Sequence, residues 1–375
     1  MEYATGGEPM EPFFLAALQM TPGIGTAQLS KLLAAFGAAD RIWQAAPGEI
    51  RASGCLTLRA ANELNDFIRT RQDLPERIRE SCEQKNILVC TMKDAVYPIL
   101  LKQIFHPPLV LFYRGRLQAD VCRLAVVGAR RNSAYGRGVA EMLAAGLAAK
   151  GITVVSGAAR GIDTAAHQGA LKEGRTVAVL GCGVDVAYPP ENRRLLEEIA
   201  ERGVVLSEYA PGTQPVAGFF PARNRIISGL SQGTLVIEAA ERSGSLITAE
   251  LALSEGRDVF AVPGSIFSNM SLGCHRLIQQ GAKLVTCVED ILDEYSWAVS
   301  EKAADRESGA ALAMTEEETA VFALLSFEQP LSIDEIIYKL QGANAANVAF
   351  ILLQMELKGL IRGDASHAYV RVVSV

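Results

Sequence analysis

Apolar residues recur at helical spacing in FFLAALQM, AQLSKLLAAF and LRAANELNDFIR, which predicts a helical region over residues 1–84. From Asn86 the pattern changes to short apolar runs separated by amphipathic stretches such as GRGVAEMLAAGLAAKG and NRRLLEEIAERG. The runs are ILVC (87–90), RLAVVG (123–128), ITVVS (152–156), TVAVLG (176–181), VVLSE (204–208), TLVIEA (234–239), DVFAVPG (258–264) and KLVT (283–286). Buried strands alternating with helices predict an α/β domain over residues 85–295, with a Rossmann-like, doubly wound, mainly parallel sheet covered on both faces. Residues 296–314 are poor in large aliphatics and rich in Ala, Ser and charge, the composition of a linker. Residues 315–375 give three helical patterns and then a hairpin, LIRGDASHAYVRVV, which together predict a winged helix.

Charge narrows the partners. A net charge of −6 argues against coating nucleic acid through an all-over positive field. Any polyanion site must therefore be local. From Arg114 to Arg137 six arginines face one acid, Asp120. The winged-helix region has the opposite balance, with four basic residues (Lys339, Lys358, Arg362, Arg371) and eight acidic ones. Phosphate attraction needs basic side chains, so this module is expected to contact protein and not to read a groove. The seven cysteines are scattered and form no C-x-x-C, which suggests reduced thiols and no zinc. No histidine pair suggests a metal. No apolar run approaches the ~20 residues that span a bilayer, and the opening MEYATGGEPMEPFF lacks a basic n-region, so a cytoplasmic protein without membrane contact is expected.

The candidate chemistry lies at the strand ends, where doubly wound sheets bind ligands. GARRNSAYG places Gly128, Arg130 and Ser133 in a turn before a helix, and SGAARGID places Ser156, Gly157, Arg160 and Gly161 in the next. GCGVDVAYPPENRR brings Tyr188 and Arg193, PGTQPVAGFFPARNRIISGL brings Phe219, Phe220, Arg223, Asn224 and Arg225, and ERSGSLITAE brings Ser243, Gly244, Ser245 and Thr248. Glycines and hydroxyls let amides and O–H groups face an anion, and guanidinium forks supply the countercharge. Tyr188, Phe219 and Phe220 are candidate base-stacking faces, with core packing as the alternative. Asp163 reads as a first-turn dipole partner, His167 as a packed histidine, and Glu208 and Glu238 as groups that orient arginines or amides. No cofactor is expected. The G-x-G-x-x-G fingerprint is missing after the first strand, no acid stands at the ribose position, and there is no G-x-x-x-x-G-K-[ST].

These segments, in order, resemble the DprA/Smf family of bacterial DNA-processing proteins. The matching stretches are YPILLKQIFHPPLVLFYRG (97–115), VVGARRNSAYG (126–136), VVSGAARGIDTAAHQGAL (154–171), AVLGCGVDVAYPPEN (178–192), FPARNRIISGLS (220–231), SGSLITAELAL (243–253), and VFAVPGSIF with SLGCHRLIQQGAKLV (259–285). The helical start, where TPGIGTAQ is similar to the hairpin of a helix-hairpin-helix or SAM-like module, and the winged-helix end resemble the family's domain plan. The resemblance implies a single-stranded DNA-binding protein, without established catalysis, that protects incoming strands in natural transformation and helps load the RecA recombinase. It also implies a homodimer surface beside the RecA contact, carried by His275, Leu277, Ile278, Gln279 and Leu284. The family's hydroxyl between glycine and arginine is Ala129 here, and its lysine after the Tyr188–Pro189 pair is Pro190, with Arg193 and Arg194 as the candidate substitutes. Two other readings stay open: an enzyme cleaving N-glycosidic bonds of nucleotides, which would use a strand-end glutamate such as Glu238, and a scaffold with a vestigial pocket. The P-G-G-x-G-T-x-x-E signature of phosphoribohydrolases is absent.

Overall fold

The computed structural model describes residues 10–119, 121–295, 297, 314–327, 330–340, 344–358, 360–363 and 368–371. Six helices open the chain: α1 (Glu11–Gln19), α2 (Thr26–Phe36), α3 (Ala39–Gln44), α4 (Pro47–Ala52), α5 (Leu58–Thr70) and α6 (Leu74–Gln84). α5 shows why. Thr57 caps it by accepting from the Ala60 amide, and Ala61, Leu64, Phe67 and Ile68 fall on one buried stripe.

A nine-stranded sheet follows, with strands β1 (Leu88–Thr91), β2 (Val110–Gly115), β3 (Arg123–Val127), β4 (Thr153–Ser156), β5 (Thr176–Val179), β6 (Val204–Ser207), β7 (Gly233–Val236), β8 (Asp258–Ala261) and β9 (Lys283–Leu284). Its helices are α7 (Ile99–Lys102), α8 (Ala134–Ala149), α9 (Ile162–Glu173), α10 (Arg193–Arg202), α11 (Phe219–Gly229), α12 (Gly244–Ser254), α13 (Leu272–Gln279) and α14 (Glu289–Leu292). The spatial order is β1-β2-β6-β5-β4-β3-β7-β8-β9. Pairing is parallel from β6 to β9, and antiparallel where β2 joins β6 and β1 joins β2. The fold is thus a doubly wound, mainly parallel α/β sheet.

Alternation along the strands separates the two faces. Leu124, Val126 and Val154 pack under α8 and α9, whereas Ala125, Val127 and Val155 pack against α11, α12 and α13. The core of α1–α6 is continuous with the sheet: Phe13, Leu18, Leu64 and Ile78 share one buried cluster with Phe112, Ala178, Leu180 and Val205.

Strand β2 is absent from the hydrophobic-run reading. Its six residues, VLFYRG, begin two positions after Pro108, and its partner β6 runs against it, so no βαβ rhythm announces it. At the C-terminal end α15 (Glu316–Leu324), α16 (Ile333–Lys339) and α17 (Ala345–Leu357) pack with β10 (Leu331–Ser332), β11 (Ile361–Gly363) and β12 (Ala368–Arg371). The winged helix therefore has a three-stranded sheet, ordered β10-β12-β11, and not a hairpin alone. Of the linker, only Trp297 and Met314 lie among the described residues.

Candidate nucleic-acid interface

Strand order reverses at β3: the chain runs outward through β4, β5 and β6, then returns to the other side of β3 as β7. Connections leaving β3 and β7 diverge there and open a crevice at their C-terminal ends. A cleft of about 660 Å³ occupies it, lined by the turn after β3, the first turns of α11 and α12, and Tyr188.

Its floor is a buried arginine with a buried carboxylate close by. Arg223 is 3% exposed, and its Nη1 donates to the carbonyls of Val179 and Gly157, the latter at 2.9 Å. Asp163 lies beside it and accepts from the Ala159 amide at 3.3 Å. Burial pushes the Asp163 carboxyl up from its ordinary range, against the pull of the Arg223 charge. Burial likewise draws Arg223 down to about 10, which leaves it charged at neutral pH. A Cβ on Gly157 would lie 2.6 Å from Arg223 Nη2 and 2.7 Å from Asp163 Oδ2, so this glycine makes room for both side chains.

The rim is different. Arg130 and Arg131 are exposed and line the cleft, and neither forms an ion pair among the described residues. The Arg130 guanidinium sits 5.6 Å from the centre of the Phe220 ring, within cation–π range. Tyr188, 40% exposed, lies 5.3 Å from Phe220 at an interplanar angle of 32°. Opposite, α12 points its N-terminus at the cleft, with Ser243 as cap. The helix dipole favours an anion there. Two aromatic faces, two unpaired guanidiniums and a helix N-terminus thus share one opening.

A family model described as DNA recombination-mediator protein A matches residues 88–296, and one described as DprA winged helix domain matches residues 303–365. The chain belongs to this family. The DNA processing protein DprA of Streptococcus pneumoniae (strain ATCC BAA-255 / R6) is 52% identical over 206 residues, covering 54% of this chain and 73% of its own. A putative DNA processing protein DprA of Mycobacterium tuberculosis (strain CDC 1551 / Oshkosh) is 38% identical over 357 residues, covering 89% of this chain and 88% of its own. The X-ray structure of the Streptococcus pneumoniae DprA aligns with a TM-score of 0.67 at 41% identity, covering 76% of this chain and 98% of that one.

Within this recombination-mediator fold the sequence-singled residues divide. Gly128, Arg130, Tyr188, Phe220, Arg223, Asn224, Ser243, Gly244, Ser245 and Thr248 line the cleft. Several others are occupied elsewhere. Ser156 is fully buried and donates to the Val126 carbonyl at 2.6 Å. Ser133 caps α8, and its amide and hydroxyl both donate to the buried Glu238, at 2.9 and 2.5 Å. Arg225 points away from the cleft and pairs with both oxygens of Glu208, at 3.0 and 2.6 Å. Arg160 pairs with Glu191. Gly161 has φ +84° and abuts the carbonyls of Ala129 and Arg130, so it shapes the turn. Phe219 stacks on Tyr209 at 4.2 Å and 21°, outside the cleft lining. Arg193 and Arg194 are exposed on α10 and line no part of the cleft.

Asp163 is a floor carboxylate and not merely a dipole partner. Arg131, Ile247 and Met270 are lining residues that the strand-end reading did not name. Arg131 was nonetheless visible as the neighbour of Arg130 in the same turn. At the far edge of the sheet, Gln279 and Leu284 are exposed, Ile278 is half-buried, and His275 Nε2 sits 3.0 Å from the Gly264 carbonyl. Leu277 is 6% exposed and packs in the core, so it supports that surface from beneath.

Proposed function

We propose that the cleft holds single-stranded DNA without sequence preference, as the DNA-contacting site of a recombination mediator. The observation that carries this reading is Arg130: exposed, without an ion-pair partner, and set over Phe220 next to Tyr188. Bases stacking on Tyr188 and Phe220 would each contribute roughly 1–3 kcal/mol whatever their identity. Arg130, Arg131 and the α12 N-terminus would take the backbone phosphates.

The finer parts of the proposal follow from the family. The bound strand would be protected and passed to RecA in natural transformation, by a cytoplasmic homodimer joined through the α13–β9 edge. Turnover is not part of it. Glu238, the carboxylate a glycosidic mechanism would use, has both oxygens engaged by Ser133. His167 is fully buried, and burial takes its imidazole down to about 3.

Fluorescence anisotropy with oligothymidylate and mixed-sequence oligonucleotides tests the site. Arg130→Ala is expected to weaken binding about 10-fold or more, near 1.4 kcal/mol, equally for both sequences. Unchanged affinity would remove the cleft from the proposal. Release of free base from nucleoside monophosphates would favour the hydrolytic reading instead. RecA filament formation on covered strands and sedimentation of an Ile278→Glu variant test the two partners separately.

A further inference from the structure

Helix α17 is the third helix of the winged helix, where a groove-reading domain would carry its base contacts. Its inner face is ordinary: Val348, Ile351, Leu352 and Met355 are buried against α15 and α16. The opposite face is apolar as well. Ala346, Phe350, Leu353 and Leu357 follow one another at helical spacing and fall within a ~60° arc, and the last three are 55%, 54% and 80% exposed. No described residue covers them. A helix apolar on two opposite faces is suited to burial on both sides. A clustered exposed apolar stripe marks an interaction surface.

The surrounding charge says what kind. Of the module's four basic groups, Lys358 is held by Glu318 at 2.6 Å, Arg362 by Glu141 at 2.8 Å, Arg371 lies over the Phe322 ring at 4.4 Å, and Lys339 is exposed in the last turn of α16. The acids Glu316, Glu317, Asp334, Glu335 and Glu356 are exposed, and Glu317 meets α17 through Asn347. Glu317 and Glu356 flank the stripe, so phosphate would be repelled there, and so would a second copy of the same face.

We propose that the outer face of α17 docks an amphipathic helix of a partner protein, one whose apolar stripe is flanked by Lys or Arg. This surface is separate from the cleft, and its test does not depend on strand binding. The probe is a labelled peptide of about four turns, with leucines at the spacing of Phe350, Leu353 and Leu357 and lysines on both flanks. A second peptide carries glutamates in place of the lysines. The full chain should bind the lysine peptide and not the glutamate one. Phe350→Ser with Leu353→Ser should weaken binding about 10-fold or more with helix content unchanged, and Glu317→Lys should weaken it separately. Three results would overturn the proposal: no binding of the lysine peptide by the full chain, equal binding by the wild type and the double variant, or loss from the double variant of self-association or of duplex DNA binding.

Discussion

A guanidinium under a cleft and a guanidinium at its rim do different physical work. Arg223 satisfies two strand-end carbonyls beneath the cleft, whereas Arg130 has its charge free for a ligand. Arg223 and Arg225, paired in the sequence reading, sit two positions apart on α11 and so cannot share a helix face. That much was legible beforehand. Residue types do not reveal which hydroxyl already has an acceptor, so the pattern offers Ser156 and Ser133 as phosphate donors although the Val126 carbonyl and the Glu238 carboxylate engage them.

His167 leads to a pH prediction. Thr176 donates to the Val154 carbonyl at 2.8 Å, so its oxygen accepts from His167 Nδ1 at 2.7 Å. Nε2 is then an unprotonated nitrogen, buried without a partner. Above the ordinary value of 6.5 the ring is neutral in folded and unfolded chains alike. As pH falls, the unfolded chain takes up a proton that the folded ring refuses until about 3. Stability should therefore decline by about 1.4 kcal/mol per pH unit on this account. Urea unfolding between about pH 6 and 4 checks it, and His167→Gln should remove roughly one proton's worth of that slope.

Elements were easier to read than side chains. All eight apolar runs became strands; for the inner strands β3 to β8 this is because a strand buried on both faces writes a near-continuous hydrophobic signal. β2 carries the same signal, Val110, Leu111, Phe112 and Tyr113 all being buried, but it follows β1 across only the short α7, without the regular strand–helix alternation of the other runs. β10 escaped because two residues carry no periodicity. The winged helix touches α8 through Arg362 and Glu141, a pair whose arginine side chain is 37% exposed and which contributes little to stability. Truncation before residue 310 should therefore leave most of the affinity for oligothymidylate intact, as read by anisotropy. Loss of nearly all of it would place strand contacts on a module with twice as many acids as bases.

At the scale of the molecule, a net charge of −6 and one rim of unpaired arginines make a short electrostatic footprint. Two or three neutralised phosphates give a log–log salt slope of about −1.4 to −2.1 for single strands. A much steeper slope would mean that basic groups beyond this rim take part.

The apolar continuity between α1–α6 and the outer strands has a consequence for anyone reshaping the protein. Phe13, Leu18, Leu64 and Ile78 are roofing for Phe112, Ala178 and Val205. Removing the first 84 residues would strip that roof and leave an aggregation-prone wall, however independent the block looks on paper. A shortened version would survive only if those wall positions were rewritten with polar side chains at the same time.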